Sequence, residues 1–285
     1  MKSVMRNSII FLIIITASGI SLAKTTGNYA NVNGLHMYYE IHGSGYPLVL
    51  IHGGGSTITT SFGHILPLLA KTHKVIAVEL QAHGHTSDRN APESFQQDAD
   101  DVAELLRQLN IANADIYGFS NGGNTAMQLA IRHPEKVHKL ILASTFYKRD
   151  GFVAGFWDGM DKATFNDMPQ VYNEAYLKVN NDSAALLNMF KKDSHRMQTF
   201  RMQTFKDWSD DDIKSIHASA FIVVGDQDVI RPEHAVKMHE LMAHSRLAVL
   251  PGTHGSYMGE EITNDPKSKT PEFFVAMINE FLASK

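Results

Sequence analysis

Cysteine is missing from all 285 residues, which excludes disulfides, thiol catalysis and a cysteine-linked lipid anchor. Long apolar runs are missing too: the run from Ile9 to Ile20 falls short of the roughly 20 residues that cross a bilayer comfortably. Positive charge is not in excess. Setting Lys2 and Arg6 aside with the first 23 residues leaves 24 of the 26 basic side chains against 30 acidic ones, a formal balance of −6, so nucleic acid is not expected as a partner.

What is present suffices for a large core. Hydrophobic residues make up 44% of the chain, enough for one large domain or one domain carrying a substantial insertion. Met1 to Ala23 combines two basic residues, an apolar stretch and the small-residue ending Ser21-Leu22-Ala23 before Lys24, the pattern of a secretory signal peptide. The expectation is an exported protein without a stable membrane anchor; a retained anchor is the alternative reading of the same stretch.

Beyond Lys24, apolar runs of strand length alternate with helical patterns, which predicts a largely parallel sheet with helices on both faces. The strands read as Gly34 to Ile41, Pro47 to Ile51, Lys74 to Leu80, Asp115 to Gly118, Lys139 to Ala143, Ala220 to Val224 and Leu247 to Leu250. Helical spacing covers Phe95 to Leu109, Asn124 to Arg132, Pro232 to Met242 and Pro271 to Leu282. Residues 146 to 217 break the rhythm with helical spacing and many large apolar side chains, which predicts a helical cap inserted into a core formed by residues 24 to 145 and 218 to 285. Phe156, Trp157, Met160 and Met189 are candidates from this insertion for a substrate pocket, against the ordinary alternative that they form its own core. Within it Arg-Met-Gln-Thr-Phe occurs twice in succession, from Arg196 and from Arg201, and local distortion of the helix is expected there because five residues are not a whole number of turns.

One pentapeptide carries chemistry. Gly118-Phe119-Ser120-Asn121-Gly122 stands where a strand passes into a helix, the context of a nucleophile elbow. Such a turn strains the serine backbone and brings neighbouring chain so close that side chains at Gly118 and Gly122 would collide. Taken alone, the stretch also reads as a glycine-rich helix start capped by Ser120. A serine nucleophile needs a base, and the base an orienting acid. Asp228 follows the strand Ala220 to Val224, with Asp226 and Asp150 as rivals; His254 follows the last strand, where the alternative is a loop histidine bonded to backbone. The loop His52-Gly53-Gly54-Gly55-Ser56 follows another strand end. It offers backbone N–H groups for an oxyanion: Gly54 first and Gly55 second, joined by Asn121, the residue after the nucleophile.

Together, His52-Gly53-Gly54-Gly55, Gly118-x-Ser120-x-Gly122, Gly225-x-x-Asp228 and His254 resemble the α/β-hydrolase superfamily, in the capped group of esterases, enol-lactonases and non-haem haloperoxidase-like perhydrolases. The resemblance extends from Gly34 to the C-terminus. It implies a serine hydrolase that cleaves a small carboxylic ester or lactone and needs no cofactor, and the apolar insertion suggests a hydrophobic substrate; a perhydrolase or acyltransferase using the same residues, or a ligand-sensing protein on the same scaffold, are the alternatives. Serine at position 120 sets the chain apart from the haloalkane dehalogenases and epoxide hydrolases, which carry aspartate there, and the glycine loop lacks the Gly-Pro-Gly of many prolyl aminopeptidases and carbon–carbon bond hydrolases. Residues Glu79 to Asp88 resemble the family's loop Asp-x-Arg-Gly-His-Gly-x-Ser, departing from it at Glu79 and Ala82; its His83 and His85 are read as structural, since no third ligand completes a metal site. Nothing in the sequence reports an oligomeric state.

Overall fold

The computed structural model describes residues 27–201 and 208–284. The signal peptide read from Met1 to Ala23, and the repeated segment beyond Arg201, lie outside these.

Eight strands form one sheet: β1 (Asn28–Val32), β2 (Leu35–His42), β3 (Pro47–Ile51), β4 (Lys74–Val78), β5 (Ala114–Phe119), β6 (Val137–Ala143), β7 (Ser219–Gly225) and β8 (Ser245–Leu250). Their spatial order is β1-β2-β4-β3-β5-β6-β7-β8. β2 runs antiparallel to both β1 and β4, and all the other pairs are parallel. Packed around the sheet, or inserted after β6, are α1 (Ile58–Phe62), α2 (Leu66–Leu69), α3 (Phe95–Gln108), α4 (Asn121–Arg132), α5 (Phe156–Lys162), α6 (Gln170–Val179), α7 (Ser183–Arg201), α8 (Asp210–Lys214), α9 (Pro232–Leu241) and α10 (Thr270–Ala283).

Parallel strands covered on both faces read as nearly continuous apolar runs, and here the alternation of side chains divides the core in two. Val49, Ile51, Ile116, Leu140, Leu142, Ile222 and Val224 face the side packed by α3, α4 and α9. Leu48, Leu50, Tyr117, Ile141, Ala143, Phe221 and Val223 face the side packed by α1, α2 and α10. The chain passes from β3 outward to β4 and then crosses back to β5. The C-terminal ends of β3 and β5 therefore flank a topological switch point, where open α/β sheets form their ligand crevices.

The seven expected strands are all present, within a few residues of the ends read from sequence. β1 was not expected: Asn28-Tyr29-Ala30-Asn31-Val32 is largely polar, and it holds its place as an edge strand by pairing with β2. Between β6 and β7 the described chain contains helices α5 to α8. Met168, Tyr176, Leu186 and Met189 form a small core of their own there, together with Ala82. The ends of this stretch do not belong to it, however: Phe146, Tyr147, Phe152, Trp208, Ile213 and Ile216 are buried in the main core. α7 continues through the first Arg-Met-Gln-Thr-Phe to Arg201. Among the described residues, no helix is long and apolar enough to cross a membrane.

One buried cation ties the last helix down. Lys139 on β6 donates from Nζ to the carbonyls of Phe281 at 3.1 Å, Leu282 at 3.0 Å and Ser284, taking up the orphan carbonyls at the end of α10. Lys139→Met should lower unfolding stability by about 2–3 kcal/mol, because it removes the lysine donor from the Leu282 and Ser284 carbonyls, while the Phe281 carbonyl keeps the N–H and hydroxyl of Ser284. Urea denaturation would measure it, and a loss below about 0.5 kcal/mol would show that water replaces the lysine.

Candidate active site

Gly54, Ser120, Asn121, Asp228 and His254 all lie within a few residues after the C-terminal end of a parallel strand. Ser120 follows β5 with φ 52° and ψ −123°, a backbone strain of order 1–3 kcal/mol for a residue other than glycine. The two glycines are required by close approach. A Cβ on Gly118 would lie 2.3 Å from the Gly122 carbonyl oxygen, and one on Gly122 would lie 2.1 Å from that of Ile51. Ser120 holds the N-cap position of α4, but its side chain makes no capping hydrogen bond.

The hydroxyl instead meets an imidazole. Ser120 Oγ lies 3.1 Å from His254 Nε2, and His254 Nδ1 lies 2.7 Å from Asp228 Oδ1. The Asp228 side chain is fully enclosed, and its pKa is nevertheless lowered: burial opposes ionisation, but the charge and hydrogen bond of His254, the Ile230 N–H at 3.0 Å and the Ser144 hydroxyl outweigh it. Its rivals are engaged elsewhere. Asp226 is exposed and accepts the Gly252 N–H at 2.7 Å, as expected of a turn-forming acid, and Asp150 is exposed and 3.9 Å from His234. A hydroxyl, imidazole and buried carboxylate so connected can pass the hydroxyl proton to the imidazole as the oxygen attacks an electrophile.

The glycine loop packs directly on this group. A Cβ on Gly53 would lie 3.4 Å from Ser120 Cβ, and one on Gly54 only 2.4 Å from Asn121 Nδ2. His52 fixes the loop by accepting the Leu80 N–H on Nε2 at 3.0 Å while Nδ1 faces the Gly53 carbonyl at 2.7 Å; burial drives its pKa down to about 3, so it is neutral. Gly53 N–H donates to Ser61 and Gly55 N–H to His83 Nε2. Among the described residues the N–H groups of Gly54 and Asn121 have no hydrogen-bond partner, which separates Gly54 from Gly55 as a candidate oxyanion donor.

The residues between Glu79 and Asp88 fold around Glu79, whose Oε2 accepts the His85 N–H at 2.7 Å and faces His85 Nδ1 at 2.9 Å. His83 serves the glycine loop, as above. Ala82 takes φ +62°, a left-handed conformation that costs an L-residue roughly 1–2 kcal/mol. The described residues contain no grouping of three or more side chains suited to a metal ion.

A cavity of about 210 Å³ adjoins the backbone of Gly54 and Gly55. Met160 and Met189 line it. Phe156 and Trp157, also expected at a pocket, do not: Phe156 stacks on Phe152 at 4.2 Å, and Trp157 packs edge-on to Phe152 and donates from Nε1 to the Arg149 carbonyl at 3.0 Å. The aromatic surface of Phe152, itself part of the main core, draws both away from the crevice. Several contacts at the site escaped the sequence reading. Ser144 and Tyr257 form a hydroxyl chain behind Asp228, 2.7 Å apart; Tyr172 on α6 donates to Glu260 at 2.6 Å; and Asp193 on α7 accepts from the Asn121 side chain at 3.3 Å. None of these pairs is close in sequence, so no local pattern announces them.

Asp193 belongs to a buried ionic group. Arg196 pairs with Asp193, with Asp98 at 2.8 Å and with Glu93 at 3.7 Å. Neither Glu93 carboxylate oxygen has a hydrogen-bond partner among the described residues, and burial raises this carboxyl well above its ordinary pKa against the pull of Arg196. A carboxyl raised in the folded chain contributes stability that is fully present below its unfolded pKa of about 4.3 and is lost as pH rises through the folded value. Glu93→Gln should therefore be more stable than the parent by about 1–3 kcal/mol near pH 8 and lose that advantage near pH 4. Denaturant melts at both pH values would show it, and an advantage independent of pH would contradict it.

Comparison with known proteins follows the same lines. A family profile described as alpha/beta hydrolase fold matches residues 46–260. The 2-hydroxymuconate semialdehyde hydrolase of Pseudomonas sp. strain CF600 is 40% identical over 104 residues, which cover 35% of this chain and 36% of that protein. The chain spans between 36% and 41% of the length of this and two other curated relatives that it matches. Among solved structures, a serine hydrolase involved in carbazole degradation is 23% identical with a TM-score of 0.73, covering 91% of this chain and 99% of that one. The enol-lactonase of Burkholderia xenovorans LB400 is 19% identical with a TM-score of 0.68, covering 90% and 100%. Likeness at such identity shows a shared fold. The matched span runs from β3 through the Ser120 turn to the loop carrying His254, and the chain belongs to the α/β-hydrolase family.

Proposed function

We propose that this protein is an exported serine hydrolase that cleaves a small carboxylic ester or lactone through an acyl-enzyme. The observation that carries the reading is the continuous hydrogen-bonded path from Ser120 Oγ through His254 to Asp228, beside two unengaged N–H groups. Ser120 Oγ attacks the carbonyl carbon and passes its proton to His254 Nε2. Asp228 holds the imidazole in register and balances the charge that forms on it. The N–H groups of Gly54 and Asn121 receive the negative charge on the carbonyl oxygen, each worth roughly 3–4 kcal/mol in comparable sites. As the tetrahedral intermediate collapses, His254 gives its proton to the departing oxygen; water, deprotonated by His254, then attacks the ester on Ser120 and releases the acid. Substrates on the scale of the adjoining cavity are small molecules, and its largely apolar lining supports a hydrophobic one. The likeness to 2-hydroxymuconate semialdehyde hydrolase supports a second reading, in which the same serine acts on a substrate of that kind.

Ser120→Ala should leave folding intact and lower kcat/KM toward short p-nitrophenyl esters by about 10⁴-fold or more. A folded variant retaining most of the parent's turnover would remove the assignment, and 2-hydroxymuconate semialdehyde assayed beside the esters separates the two readings. For export, the expected mature N-terminus is Lys24: N-terminal sequencing of protein collected outside the cytoplasm would find it, and a chain still beginning at Met1 would refute cleavage there.

A further inference from the structure

The cavity beside Gly54 has an uneven charge. Its walls include Met160, Met168, Tyr172, Met189, Phe190 and Met197; among the described residues its charged lining side chains are two carboxylates, and no lysine, arginine or histidine lines it. One carboxylate, Asp167, is exposed and accepts both the N–H and the hydroxyl of Thr164. The other is Asp193, largely buried, which contacts the proposed oxyanion residues themselves. Its Oδ1 accepts from Asn121 Nδ2, and its Oδ2 lies 2.6 Å from where a Gly54 Cβ would stand.

Arg196 could have made the same cavity cationic. It lies one helical turn further along α7, but Asp193 lines the cavity and Arg196 does not. The guanidinium is buried behind Asp193, bonded to Asp98 at 2.8 Å, 3.7 Å from Glu93 and 4.8 Å above the Phe95 ring. His83 Nε2 lies 3.9 Å from Asp193 Oδ2 and outside the cavity lining; burial disfavours its charged form but Asp193 raises its pKa overall, while the Gly55 N–H directed at Nε2 is the geometry of a neutral ring. Anything entering the cavity meets the negative end of the Asp193–Arg196 pair. A carboxylate there would be desolvated beside a like charge, which is strongly unfavourable, whereas a neutral chain or an ammonium would not be opposed.

We propose that Asp193 is a specificity-determining residue: it screens Arg196 from the cavity and bars acyl groups that carry a carboxylate, reserving the site for uncharged or cationic ones. This rests on the serine-hydrolase reading, with the acyl chain seated in the cavity.

The test compares p-nitrophenyl esters of three acids of similar length: valerate, the monoester of glutarate, and γ-trimethylammoniobutyrate. In the parent protein kcat/KM for the glutarate ester should be about 100-fold or more below that for valerate, and the ammonium ester within about tenfold of valerate. Asp193→Asn should narrow the valerate-to-glutarate ratio at least about tenfold, mainly through KM for the glutarate ester. Should that variant fail to fold, Met160→Lys places a cation on the same cavity wall without touching the ionic group, and it should narrow the ratio similarly. A parent ratio near unity, or a folded variant with the parent's ratio, overturns the proposal while leaving the hydrolase reading in place. Absence of Ser120-dependent turnover on all three esters overturns that reading, and this inference with it.

Discussion

The near-contact of three backbone segments at the end of β5 is the constraint on which the site depends. β5 must turn into α4 within a single residue while β3 passes alongside, and the separations leave no space for a Cβ at Gly118 or Gly122. The same crowding holds Ser120 in a backbone conformation that few residues other than glycine adopt. A local cost of this kind persists only when the surroundings over-determine it. Here the surroundings are the central parallel strands, apolar on both faces and buried at nearly every position. The rigidity of the sheet is thus transmitted to one hydroxyl, whose direction is set by main chain and not by rotamer preference.

Around that fixed point the remaining parts are arranged by strand order. Loops after β3, β5, β7 and β8 converge because the strands are parallel and their C-terminal ends share one edge of the sheet. They bring the Gly54 N–H, the serine with the Asn121 N–H, the carboxylate and the imidazole, in that order. The helices between β6 and β7 are tied to the rest of the chain by Tyr172 against Glu260 and by Arg196 against Asp98 of α3.

Much of this was legible in the chain because the signals are local. Pro47 to Ile51 is a strand in both sequence and structure, and the glycines at 118 and 122 announce a tight turn through sterics alone. Where the signal is not local, reading fails. β1 is polar and is defined by its partner β2. Phe156 and Trp157 look like pocket residues by composition, yet their place is decided by Phe152, an aromatic neighbour whose role no periodicity reports. Asp193 is one charged residue among many on α7 until folding sets it against Asn121 and Gly54. Ser144, behind Asp228, likewise has no motif; its position with φ +49° at the end of β6 becomes visible only in three dimensions.

The cavity wall has one further consequence. Four of its side chains, Met160, Met168, Met189 and Met197, are thioethers, unbranched and polarisable, so the wall can reshape around ligands of differing outline at little cost. The same chemistry makes it oxidisable. Each sulfoxide would set a polar, chiral S=O group where an apolar chain had been, so an oxidant reaching this crevice would change what it admits before it touched Ser120, His254 or Asp228.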